Sequence, residues 1–259
     1  MTKQNYAAIA IVLDESSSMG RVASDTVGGL NQFITEQKNL QGEVSFTLNK
    51  FSDSVRSLFD FVNINTIPTL EYQKHYYPNG NTALYDAINE TIDSIGRKLS
   101  QMNEWDRPSK VIVAILTDGE ENMSRTATAK TIAEKIRHQE EVYNWEFVFL
   151  GANQDAILSA QRIGIAKGSS MTYAGSSAGT KSAIDTLGKS VTRSRSFGSK
   201  AAFTDQDVTE YNNSLAAPVQ KSLSAPTPTP ASVQVQVNVQ GSLPHWANQP
   251  RDNKGRYSK

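Results

Sequence analysis

The run Val111-Ile112-Val113-Ala114-Ile115-Leu116, bounded by Lys110 and Thr117, constrains the fold of this chain more than any other feature. A strand points successive side chains to opposite faces, so one that is apolar at every position has to be covered on both sides. Residues 7–13 form a second such run. Residues 6–13, 44–51, 55–62, 111–116 and 147–150 read as strands, and 169–173 as a short edge strand.

Amphipathic stretches lie between them. Leu84, Ile88, Ile92, Ile95, Leu99 and Met102 recur at helical spacing and place an apolar stripe on a helix of about five turns. Val27, Leu30, Phe33 and Ile34 mark an earlier helix, and Ile132, Ala133, Ile136 and Tyr143 a later one; residues 156–163 and 176–196 complete the set. Only Ser52-Asp53-Ser54 separates the second strand from the third, which makes the pair a hairpin. The expected fold is α/β: an open, doubly wound, mainly parallel six-stranded sheet with one antiparallel edge strand and helices on both faces.

Six of the nine prolines fall after residue 215. The α/β domain is therefore expected over residues 1–200 and a polar linker over 201–224. A disordered C-terminal tail is expected over 225–259, with a Pro-rich spacer, a Val/Gln alternation and a basic end. Net charge is zero, but residues 216–259 carry five basic side chains against one acidic. The rest of the chain is acidic overall and offers no footprint for nucleic acid. There is no cysteine, and His75, His138 and His245 are scattered, so disulfides, thiolate sites and a histidine zinc site drop out. No apolar stretch approaches the roughly 20 residues of a membrane-spanning helix, and residues 1–14 lack a signal-peptide pattern; a cytoplasmic protein without a membrane partner is expected.

In open α/β sheets, ligands bind beyond the carboxyl ends of the strands. The first strand ends in Asp14-Glu15-Ser16-Ser17-Ser18, and the strand over 111–116 ends in Thr117-Asp118-Gly119. The loop before the long helix reads Gly80-Asn81-Thr82-Ala83-Leu84-Tyr85-Asp86. Two carboxylates and three hydroxyls could thus converge. Oxygen ligands without histidine or thiolate suit a hard cation, Mg²⁺ or Mn²⁺ rather than Zn²⁺. A site so poor in charge leaves a coordination position attractive to an external carboxylate.

These residues resemble the metal-ion-dependent adhesion site of the von Willebrand factor A domain family. The family pattern D-x-S-x-S matches Asp14, Ser16 and Ser18; its distant threonine matches Thr82, and its T-D-G aspartate matches Asp118. The resemblance covers about residues 5–195 and implies a parallel sheet with one antiparallel edge strand. It also implies Asp14, Ser16, Ser18, Thr82 and Asp118 as metal ligands, and a protein partner that presents Asp or Glu to the metal. Through Thr82-Ala83-Leu84-Tyr85-Asp86-Ala87-Ile88 and Phe149-Leu150-Gly151-Ala152-Asn153 the sequence is similar to the intracellular bacterial and phage branch. Ser17 departs from the glycine that many members carry.

Competing readings stand beside this one. Asp14, Ser16 and Ser18 are also good caps for a following helix. Asp86 either holds the Thr82 loop from behind the metal or is an ordinary first-turn carboxylate. Tyr72, Tyr76, Tyr77 and Tyr85 either surround the metal as a contact surface or cover the edge of the core. Gly175-Ser176-Ser177-Ala178-Gly179 fits G-x-S-x-G, but the only later histidine is His245, and the bland reading is a turn into the last helix. No P-loop is present. A metal-dependent hydrolase would need a base from Glu15, Glu120 or Glu121. The expectation is a non-enzymatic binding module. The alternative is a structural or assembly protein, of the virion-associated kind, in which the alternating segment 233–240 self-associates or adds to a sheet edge.

Overall fold

The structure, a computed structural model, describes residues 2–152 and 155–216. Its strands are β1 (Lys3–Asp14), β2 (Glu43–Phe51), β3 (Val55–Asn63), β4 (Pro108–Thr117), β5 (Glu146–Gly151) and β6 (Ser170–Thr172). Its helices are α1 (Ala23–Asn39), α2 (Leu84–Gln101), α3 (Ala129–Tyr143), α4 (Ala156–Arg162), α5 (Ser177–Phe197) and α6 (Asp205–Ala216). The strands form one six-stranded sheet in the order β3-β2-β1-β4-β5-β6. All pairings are parallel except β2 with β3, the hairpin at the edge.

The period of two in β1 divides its apolar run between two cores. Ile9, Ile11 and Leu13 face Leu30, Phe33 and Ile34 of α1 and Ile184 and Leu187 of α5. Ala8, Ala10 and Val12 face Ile88 and Ile92 of α2 and Ile132 and Ile136 of α3. Burying one such Leu, Ile or Phe side chain contributes about 1.5–3 kcal/mol, so the two layers together fix the sheet between them. β1 and β4, both buried on two faces, lie at the centre of the order, and their carboxyl ends come side by side, with Leu13 opposite Leu116.

Two sequence expectations change, at Tyr143 and at 205–216, and the turn before α5 is the one its plainer reading gave. Tyr143, placed on the inner stripe of α3, is exposed at the helix end against the ring of His138, because Asn144 turns the chain into the left-handed region there. The seryl-glycine turn before α5 is a helix cap, with Ser176 Oγ accepting from the Gly179 N–H at 3.2 Å. Residues 205–216, within the stretch expected as polar linker, form α6. The first compact unit runs from Met1 to Ala217 and includes α6. Of the apolar residues of α6 only Tyr211 is buried, with Val208 and Leu215 exposed, and Asp207 accepts from both terminal guanidinium nitrogens of Arg193. That attachment is mainly polar, so hydrophobic periodicity, limited to Val208, Tyr211 and Leu215, carries only a short sign of it. The Pro-rich spacer and the alternation at 233–240 lie outside the described residues. Among the described residues no helix is long and apolar enough to cross a membrane.

Candidate functional site

The site is built where β1 and β4 end. Asp14 is the last residue of β1 and fully buried, and its carboxylate is held from both sides. The Ser16 N–H donates to Oδ1 at 2.7 Å, folding the chain back in a tight turn, and Thr117 Oγ1 at the end of β4 donates to Oδ2 at 2.6 Å. Ser16 Oγ and Ser18 Oγ are 3.0 Å apart, and Ser18 Oγ donates to Asp118 Oδ1. One hydrogen-bonded chain of oxygens therefore runs from the β1 loop to the β4 loop.

Thr82 completes the ring from a third loop. An added Cβ on Gly119 would lie 3.2 Å from Thr82 Oγ1 and 3.9 Å from both Asp14 Oδ2 and Ser18 Oγ. The structure thus brings Asp14, Ser16, Ser18, Thr82 and Asp118 together around the space left by a missing side chain. Thr82 is buried as a residue and its hydroxyl makes no hydrogen bond to the described residues, but the one fully buried hydroxyl without a partner among them is that of Thr180, on α5. Nowhere among the described residues do three His, Cys, Asp or Glu side chains gather as a metal cluster, so the donors here are hydroxyls and two carboxylates.

Burial pushes the Asp14 carboxyl above its ordinary range, against the Thr117 and Ser16 hydrogen bonds, and the charge of Asp118 adds to the upward push. Burial likewise raises Asp118, opposed by Ser18 and by the nearby positive charge of Arg21. Two carboxyls in one desolvated corner disfavour each other's ionisation, and a cation between them removes that conflict.

The surrounding loops are clasped by side chains that sequence spacing does not reveal. Asn122 Oδ1 accepts from the Thr82 N–H at 2.9 Å and its own N–H returns to Thr82 O at 3.1 Å. Glu121 accepts from the N–H of Tyr85, in the first turn of α2, and from those of Met123 and Ser124. Asp86 accepts from the N–H groups of Arg125, Thr126 and Ala127. Asp86 therefore fastens the loop after Asp118, and makes no hydrogen bond to the Thr82 segment. Burial raises its carboxyl, but these hydrogen bonds outweigh burial and hold it below the ordinary range.

Glu15, one of the candidate bases of a hydrolase reading, is 1% exposed. It pairs with Lys50 Nζ at 2.7 Å and Arg56 Nη2 at 2.9 Å and accepts from the Tyr77 N–H. The aromatics divide. Tyr72 and Tyr77 are exposed, Tyr85 is half-buried, and Tyr76 is buried with its hydroxyl donating to the carbonyl of Asp14. Tyr173, also buried, donates to the carbonyl of Thr117 at 3.2 Å. A buried tyrosine thus terminates each of the two central strands.

The von Willebrand factor type A domain family matches residues 8–182, about two thirds of the chain, and the chain belongs to that family. No curated protein matches it. Among solved structures, proximal thread matrix protein 1 from the mussel byssus is similar at 16% identity and TM-score 0.52, over 73% of this chain and 45% of that one. A form of that protein with a zinc-occupied metal-ion-dependent adhesion site matches at 16% identity and TM-score 0.49, over 77% and 48%. The ArnB paralog VWA2 from Sulfolobus acidocaldarius matches at 16% identity and TM-score 0.44, over 72% and 45%. This chain spans less than half the length of each of these.

Proposed function

We propose that this von Willebrand factor type A domain is a non-enzymatic protein-interaction module that holds Mg²⁺ or Mn²⁺ on Asp14, Ser16, Ser18, Thr82 and Asp118 and uses the ion to capture an Asp or Glu of a partner protein. The observation that supports this reading is the cradle at Gly119, where oxygens of Asp14 and Ser18 from the β1 loop and of Thr82 from the loop before α2 gather beside the loop that carries Asp118. The donors fit the ion: carboxylate and hydroxyl oxygens are hard ligands, and a set without histidine or thiolate favours Mg²⁺ or Mn²⁺ over zinc. Bound there, the ion would supply a Lewis-acidic position for an incoming carboxylate. The chain's own residues orient the ligands, through Thr117 on Asp14, Asn122 on Thr82 and Ser18 on Asp118.

A hydrolytic role would have to draw its base from Glu120. Glu15 is committed to Lys50 and Arg56, and Glu121 to backbone N–H groups, which leaves only the exposed Glu120 beside the site. Capture of an acidic partner from a mixture with Mg²⁺ present, lost in EDTA and lost in Asp14→Ala, is the expected result. Binding that persists unchanged in both defeats the reading.

A further inference from the structure

Helix α6 begins at Asp205, beyond the last residue matched to the family, and is tied firmly to α5. Its Asp207 takes the Arg193 guanidinium, its Glu210 takes Lys189 Nζ at 2.9 Å, and Ser214 Oγ meets Ser182 Oγ. One further tie leads away from α5. The Ala174 N–H donates to the Tyr211 hydroxyl at 2.6 Å. The carbonyl of Ala174 is held from the other side, by the Ser176 N–H at 2.7 Å and by the close approach of Gly179, whose added Cβ would lie 2.1 Å from it. The residue is pinned between α6 and the first turn of α5.

Ala174 follows Tyr173, and Tyr173 reaches the site. Its hydroxyl donates to Thr117 O, the same carbonyl that accepts from the Ala152 N–H at 3.1 Å, while Thr117 Oγ1 donates to Asp14 Oδ2. Burial, reinforced by the charges of Asp118 and Asp14, keeps the Tyr173 hydroxyl protonated far beyond neutral pH, so it is a permanent donor beneath the two carboxylates. The path from α6 to the ion ligand is thus continuous: Tyr211 to Ala174, Tyr173 to Thr117, Thr117 to Asp14.

We infer that Tyr211 and Tyr173 are positioning residues for the metal site, and that through them the added helix α6 sets the site's ion affinity. This rests on the metal reading above. Removing the Tyr211 hydroxyl leaves the Ala174 N–H without its acceptor, which frees the segment carrying Tyr173 to shift; partners bonded directly to a metal ligand typically weaken affinity about 10- to 100-fold when lost, and because Tyr173 and Tyr211 act behind such a partner, Thr117, the lower end of that range applies.

The test is Mn²⁺ titration by calorimetry of the full chain, with far-UV circular dichroism and urea unfolding on each variant. Tyr211→Phe is expected to weaken binding about tenfold while retaining the fold, and Tyr173→Phe at least as much. Glu210→Gln and Ser182→Ala, which loosen α6 without touching the tyrosine path, are expected to bind like wild type. Affinity of Tyr211→Phe within about twofold of wild type overturns the inference; so does an equal loss in the two control variants, which marks general loosening. Should Tyr173→Phe fail to fold, Tyr211→Phe alone decides. A wild-type chain that takes up no Mn²⁺ sinks the metal reading itself, a failure visible before any variant is compared.

Discussion

Gly119→Ala separates an ion-binding cradle from a mere meeting of loops. The methyl would stand 3.2 Å from Thr82 Oγ1 and 3.9 Å from Asp14 Oδ2 and Ser18 Oγ. Oxygens holding Mg²⁺ lie about 2.1 Å from it, so opposed ligands are about 4.2 Å apart. A carbon 3.2 Å from the Thr82 hydroxyl crowds that oxygen and any ion or coordinated water on the same side of it. The expected loss is at least about 100-fold in Mg²⁺ or Mn²⁺ affinity, equal to about 2.7 kcal/mol. Folding should change little. Gly119 is not among the glycines with positive φ, so alanine fits its backbone, and replacing glycine at a compatible site gains a few tenths of a kcal/mol up to about 1 through the unfolded chain. That gain offsets the tight contact with the Thr82 hydroxyl. The assay pairs Mn²⁺ calorimetry with urea unfolding. Wild-type affinity in the variant would refute the reasoning, as would a loss of binding matched by a stability loss above about 3 kcal/mol, because then the methyl acts on the fold and not on the ion.

Two further outcomes follow from the ties around the site and under α6. Glu15→Ala leaves the half-buried Lys50 ammonium without its carboxylate and should lower stability by about 3 kcal/mol in urea unfolding; a loss below about 0.5 kcal/mol would show that the pair is dispensable. At Asp207 burial pushes the carboxyl up, but the Arg193 pair and the Thr204 hydrogen bonds prevail and hold it below the ordinary range. The unfolded chain then binds the proton more readily. The stabilisation is fully present above the ordinary Asp value of about 3.9 and disappears as pH falls through the lower folded value. Asp207→Asn should remove this acid dependence and show reduced protection of α6 amides at neutral pH. Identical acid unfolding of the two proteins would contradict it.

How much of this was written in the residues depends on the kind of interaction. The layered sheet was legible because it rests on hydrophobic burial, which leaves a period in the chain: two for β1 and β4, three and four for α2. The hairpin was legible because three residues can join two strands only by turning back. The oxygen set could be listed from Asp14, Ser16, Ser18, Thr82 and Asp118, since short loops at strand ends fix their place in an open α/β sheet.

The remainder depended on contacts between residues far apart in sequence, and such contacts leave no local pattern. Glu15 looks like any loop charge until Lys50 and Arg56 from the hairpin close on it. Asn122 becomes a clasp only because Thr82 arrives beside it, and Tyr76 and Tyr173 sit under the site only because two strand ends lie side by side. α6 gave the weakest signal, since it is held mainly by polar ties, Asp207–Arg193 and Glu210–Lys189 among them, and buries one apolar side chain, Tyr211. The sequence by itself determined the sheet, the layers and the identity of the oxygens, because periodicity and chain connectivity are local properties. Only the tertiary structure decided which charges are buried and what stands behind each proposed ligand, because a hydrogen bond is defined by distance in space and the chain spells out only distance in sequence.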